Sequence, residues 1–263
     1  IHIIIILAII LISFLGSFYY YDSLPERVPI HWNAQGEIDG YTSKNTGIFL
    51  LPLIEIIVAI IFVIIPLIEP NKKNVKKFIK HYNLFAIVMV GFFAYIHFLT
   101  LLIAKGYDIN FIQFFAPALG IMFYAIGILL KHTKQNYLIG IKTPWTLANE
   151  EVWDKTHELG GKLFQISGII TFFAILLPKT NILLLIGPVL TSAVITIVYS
   201  YYIYNKKELY KYDNKRYYLN RYLVTFENQK LNDEEQMWFC EELEIIKNQK
   251  LKEKEESKEI FVK

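Results

Sequence analysis

Six apolar stretches constrain this chain more than any other feature: residues 1–21, 48–68, 84–104, 111–130, 163–177 and 182–204. Each is long enough, or nearly so, to cross about 30 Å of hydrocarbon, the fifth being the shortest. Hydrophobic residues make up 54% of the 263 and charged residues 19%, but it is their grouping into blocks that separates a membrane chain from a rich soluble core. Backbone polar groups in lipid must be satisfied within the segment, so the blocks predict helices despite their dense isoleucine. The expected fold is all-α, a polytopic membrane protein of six transmembrane helices. Its membrane domain covers residues 1–204, with a polar loop at 22–47, a motif-bearing loop at 131–162 and a tail at 205–263.

The first block lacks a cationic leader and an A-x-A cleavage pattern and runs into Tyr19, Tyr20 and Tyr21, so it is expected to be a retained span. Lysine and arginine set the orientation. The connector between spans two and three carries Lys72, Lys73, Lys76, Lys77 and Lys80, and that between spans four and five carries Lys131, Lys134, Lys142, Lys155 and Lys162. The alternate connectors hold only Arg27 and Lys44, then Lys105, then Lys179. The positive-inside rule therefore predicts cytoplasmic connectors on the lysine-rich side and both termini inside, with 22–47 outside. The net charge of +3 and these basic segments are explained by topology and anionic lipid, with no direct nucleic-acid partner expected. A single cysteine, Cys240, excludes an internal disulfide framework.

Two polar connectors carry the chemistry. The outer one reads DSLPERVPIHWNAQGEIDGYTSKNTG, where Pro25 and Pro29 force extended backbone and Gly36 and Gly40 permit turns. His31, Trp32 and Asn33 combine a titratable ring, an aromatic platform and an amide, suited to a peptide or a lipid headgroup; the plainer alternative is an interfacial anchor and its hydrogen-bonding neighbour. The inner one, residues 135–162, contains two of the four tryptophans, Trp145 and Trp153. Its segment 149–160 forms an amphipathic helical wheel: Asn149, Val152, Trp153, Thr156, His157 and Gly160 on one face, Glu150, Glu151, Asp154, Lys155 and Glu158 on the other. Asn149 is expected to cap this helix, and Gly160 with Gly161 to end it before span five. Its apolar face is expected to pack on the inner ends of other spans or on a partner, rather than lie on the inner leaflet.

Within the spans, Glu55 and His97 each lie about seven residues from the outer end, roughly 10 Å deep at 1.5 Å per residue. Isolated carboxylates are costly there, so a Glu55–His97 pair is expected, forming the floor of an outward-facing pocket with His31 and Trp32 as its lid. The alternative is a bond that only fixes helix rotation. Outer-side candidates are thus His31, Trp32, Asn33, Gly36, Lys44, Glu55 and His97. Two histidines and a glutamate from three segments make a weak zinc set, and no H-E-x-x-H, Walker A, G-x-G-x-x-G or G-x-S-x-G pattern occurs. No catalytic residue, metal or cofactor is expected. Residues 233–258 of the tail are expected to form a helix.

LPERVPIHWNAQGEIDGYTSK resembles the short N-terminal domain that precedes the core of the SdpI family, and YLIGIKTPWTLANEEVWDKTHELGG resembles that family's second signature. With the six spans, the resemblance covers residues 1 to about 204. It implies a non-enzymatic protein of the cell membrane that confers immunity to a secreted antimicrobial peptide and signals by holding a cytoplasmic regulator at the membrane. The cytoplasmic motif would then be Gly140, Lys142, Thr143, Pro144, Trp145, Trp153, Thr156, His157, Gly160 and Gly161. The expected partners are the lipid bilayer, a peptide toxin outside and a soluble regulator inside. A small-solute or proton-coupled carrier is the rival reading.

Overall fold

The computed structural model describes residues 1–177, 182–226 and 234, with side chains described to residue 207 and at 234. The chain divides into a unit Ile1–Asn205 and a second, Lys206–Lys263. The expected tail helix at 233–258 lies outside the described residues, apart from Glu234. In order, the elements are α1 (His2–Tyr20), a 3-10 turn (Tyr21–Ser23), β1 (Arg27–Trp32), β2 (Ile38–Ser43), α2 (Lys44–Ile68), α3 (Lys72–Ala104) and α4 (Phe111–His132). They are followed by α5 (Pro144–Ala148), α6 (Glu150–Phe173), a second 3-10 turn (Ala174–Leu176) and α7 (Ile182–Phe226). Among the described residues, six of the helices are long and apolar enough to cross a membrane.

Burial is arranged as lipid demands. On α1 the buried stripe is Ile6, Ile10, Ser13 and Ser17, while Ile3, Ile4, Leu7, Leu11 and Leu15 are exposed. Two serines face the bundle beside Ile6 and Ile10 while the outward side is dominated by large aliphatic residues, which lipid permits and water would not. On α3 the lysine-rich stretch proves to be helix rather than connector: Asn71 caps it by accepting from Asn74 N, and the helix runs on from Lys72. Val75, Phe78 and Tyr82 recur at helical spacing and are buried, with all five lysines on the exposed side.

The second departure is in α6. Gly160 and Gly161 do not end a helix; the amphipathic segment and span five are one continuous rod from Glu150 to Phe173. Here the glycines serve close approach. A Cβ at Gly161 would stand 2.7 Å from Gly127 O of α4, one at Gly168 would stand 2.6 Å from Gly120 O, and one at Gly120 would stand 2.5 Å from Phe172 N. Gly120 and Gly127 on α4 thus mesh with Gly161 and Gly168 on α6, both pairs seven residues apart, and bring the two backbones together.

The 22–47 loop folds as an antiparallel hairpin, with Val28 opposite Thr42 and Trp32 opposite Ile38, and with irregular register around His31. Gly36 makes the turn at φ +86. Gly40 does not turn: it lies in β2 opposite His31, where a Cβ would be 2.9 Å from His31 Cβ. No residue separates β2 from α2, whose cap is Ser43, the last residue of the strand.

Candidate functional site at the two ends of the bundle

α2 runs 25 residues from the hairpin at one end to the α2–α3 turn at the other, about 37 Å at 1.5 Å per residue. The hairpin and the 133–149 connector therefore belong to opposite ends of the bundle.

At the hairpin end, Trp32 stacks on Phe111 of α4, ring centroids 3.9 Å apart and planes 7° from parallel, and Phe111 stacks in turn with Phe115. Beneath this lid lies a cavity of about 280 Å³, lined by β1, α2, α3 and α4 with His31, Trp32, Leu51, Thr100, Phe111 and Phe115 among its walls. It is largely apolar. The exposed His31 ring meets Asp39 through Nδ1. Asn33 is taken up by the turn: its Oδ1 accepts from Gln35 N and Glu37 N, at 2.9 and 3.0 Å, and its Nδ2 donates to Glu37. Lys44 is held at the hairpin's base by Glu26 Oε1 at 3.0 Å and lies over the Tyr21 ring. Of the outer candidates, only His31 and Trp32 line the cavity.

Glu55 and His97 are not its floor, and they form no ion pair. Instead, Pro52 inside α2 deprives the Ile48 carbonyl of its helical donor. Ser17 Oγ of α1 donates to that carbonyl at 2.7 Å and lies 3.0 Å from His97 Nε2 of α3. With the Ser17 proton directed at Ile48 O, its lone pair accepts from His97 Nε2–H. His97 thus pins three helices together through a serine that the sequence reading passed over.

At the opposite end the connector is tied at every turn. Glu69, fully buried at the end of α2, accepts from Asn71 N at 2.9 Å and from Tyr137 N at 3.2 Å. Asn71 and Asn74 donate to Gln135 O, and Asn136 Oδ1 accepts from Leu138 N and Ile139 N. Gly140, at φ +119, lets the chain pass against His157; a Cβ there would stand 2.5 Å from His157 Nε2. Thr143 and Thr146 form a capping box with Pro144 at the first position of α5, and Thr143 Oγ1 reaches Ser200 Oγ of α7 at 3.2 Å. Trp145 packs on Tyr201, while Lys142 is exposed and donates to Leu138 O.

The amphipathic face divides as its wheel requires. Val152, Trp153, Thr156, His157 and Gly160 are buried; Glu150, Glu151, Asp154, Lys155 and Glu158 are exposed. Trp153 Nε1 donates to Thr133 O at 2.9 Å, and its ring stacks on His157 at 4.0 Å. His157 Nε2 accepts from Ile141 N at 2.9 Å, so its proton is on Nδ1, which donates to Trp153 O. Both nitrogens are used within the fold. Trp153 and His157 therefore brace the connector against α6, and neither is presented to a soluble partner. The sequence reading missed Glu69, Asn71, Asn74 and Asn136, whose only signal was polar side chains in and just after the three-residue α2–α3 link and at the start of the 133–149 connector.

Six spanning helices, a hairpin lid at one end and a braced connector at the other define a multi-pass protein of the cell membrane. Residues 8–56 match a domain of unknown function, DUF1648, and residues 132–200 match the SdpI/YfhL protein family. The chain is 30% identical over 204 residues to Immunity protein SdpI of Bacillus subtilis (strain 168), covering 77% of this chain and 96% of that protein. The chain belongs to the SdpI family. No solved structure matches it.

Proposed function

We propose that this chain is an integral membrane immunity protein that protects its cell against a secreted antimicrobial peptide, with the hairpin outside and the braced connector in the cytoplasm. The observation that carries this reading is the match to Immunity protein SdpI over 96% of that protein's length. An apolar cavity of about 280 Å³ beneath Trp32, large enough for a bulky side chain of a membrane-active peptide, supports this reading. Lysine on all the exposed positions at the start of α3 supports the inward orientation of the connector end.

Signalling belongs to the same reading. With Trp153 and His157 committed inside the fold, a cytoplasmic regulator would meet what the connector leaves exposed: Tyr137, Leu138, Lys142 and Leu147, beside the acidic side of α6. The bracing makes this surface a reporter of bundle geometry, since Tyr137 hangs from Glu69 at the end of α2.

Expression in a peptide-sensitive host tests the first limb. Growth under peptide challenge is expected to be restored by the native chain and lost with Trp32→Ala at equal membrane abundance. No protection, together with solute or proton flux in liposomes, would replace immunity by a carrier. For the second limb, Leu147→Asp should release a cytosolic partner from the membrane while leaving protection intact.

A further inference from the structure

Glu55 is fully buried on α2, and among the described residues neither carboxylate oxygen makes a hydrogen bond of full geometry. Ser13 of α1 is equally buried and its Oγ is equally unmatched; it approaches the Glu55 carboxyl closely enough to interact, but without hydrogen-bond geometry. The neighbouring turn behaves differently. There the carbonyl orphaned by Pro52 is matched by Ser17, and Ser17 by His97. The polar groups on the shared face of α1, α2 and α3 are thus satisfied above and left open at Glu55 and Ser13.

An ionised carboxylate enclosed by apolar helices is heavily penalised unless a positive charge accompanies it. The surrounding helices supply none. At spanning depth α1 offers only Ser13 and Ser17 as polar groups, and α3 offers His97, engaged with Ser17, besides Tyr82, Tyr95 and the neutral Thr100 that lines the hairpin cavity. Tyr82 donates to Phe62 O and Tyr95 to Phe114 O. One negative charge calls for one positive charge, and full enclosure calls for a small one. Glu55 lines neither the 280 Å³ cavity under the hairpin nor the 270 Å³ apolar groove between α3 and α4, so this is a separate feature.

We propose that Glu55 and Ser13 form an occluded site for a small monovalent cation, a proton or a sodium ion, held between α1 and α2 within the membrane. In the proton form, the Glu55 carboxyl is neutral and its O–H turns to Ser13 Oγ. In the sodium form, the two carboxylate oxygens and the hydroxyl are ligands. The proposal stands independently of peptide immunity.

Infrared spectroscopy and melting of the full-length protein in lipid nanodiscs distinguish the two sources. If a proton occupies the site, a protonated-carboxyl band is present at neutral pH in choline buffer, persists on adding sodium and is lost in Glu55→Gln. If sodium occupies it, the melting midpoint rises with the logarithm of sodium concentration but not with choline. That rise is lost in Glu55→Gln and reduced in Ser13→Ala. Glu55→Gln is isosteric and neutral, so it should retain the native helical spectrum. A native protein with no Glu55-dependent carboxyl band and no sodium-dependent shift would overturn the proposal.

Discussion

At the scale of single residues, the connector rests on a few groups whose replacement has calculable consequences. Gly140 combines a positive φ with 2.5 Å between its would-be Cβ and His157 Nε2, so Gly140→Ala should cost about 1–3 kcal/mol and lower the melting midpoint in detergent. Trp153→Phe keeps most of the ring but orphans the Thr133 carbonyl, a loss of about 1–3 kcal/mol; Trp153→Ala should cost about 3–5 kcal/mol. That ordering, read by thermal unfolding, separates the indole hydrogen bond from the packing. Loss of partner recruitment in Trp153→Ala would therefore say little about a docking surface, whereas loss in Leu147→Asp would. Residue types announced part of this. Gly140 and Trp153 stood out by type, but Glu69, Ser13 and Ser17 did not, because what makes each one matter is a partner on another helix.

At the scale of elements, the α4–α6 interface depends on four glycines at matching intervals. Gly168→Leu would drive a side chain into Gly120 O and Tyr124 N and should destabilise the bundle by at least about 1–3 kcal/mol, seen as a lowered melting midpoint. The equivalent change at Gly91, where nothing lies within 4 Å of a Cβ, should be tolerated. Ser17→Ala leaves the Ile48 carbonyl and His97 without their link and should cost between about 0.6 kcal/mol, the average for a hydrogen bond between membrane helices, and about 1.7 kcal/mol, the upper end for such bonds. The existence and order of the six helices were legible because a long apolar run has few alternatives in lipid. Their ends were not. Lysine-rich sequence continues a helix as readily as it forms a loop, so α3 began at Lys72. The Gly160–Gly161 pair reads equally as a stop and as a packing surface until α4 is brought against it.

At the scale of the whole molecule, the hairpin cavity and the braced connector stand at opposite ends of one bundle, and protection should depend on the first with little direct contribution from exposed groups of the second. Which side chains line the cavity was only half legible. His31 and Trp32 were marked by type, but Phe111, Phe115 and Thr100 come from two other helices. The shared depth of Glu55 and His97 suggested a pair, but His97 is engaged by Ser17 and the Glu55 carboxylate is left unmatched among the described residues. A last consequence follows from the seamless junction at Ser43. The strand that carries one wall of the hairpin passes into α2 without a linker, and α2 ends beside the carboxylate on which Tyr137 hangs. The two faces of the membrane are therefore joined by one covalent lever. A displacement of the hairpin would meet no slack short of Pro52 and Pro66, the two positions in α2 where a helix gives most readily, so those two prolines would set how far a movement at one end reaches the other.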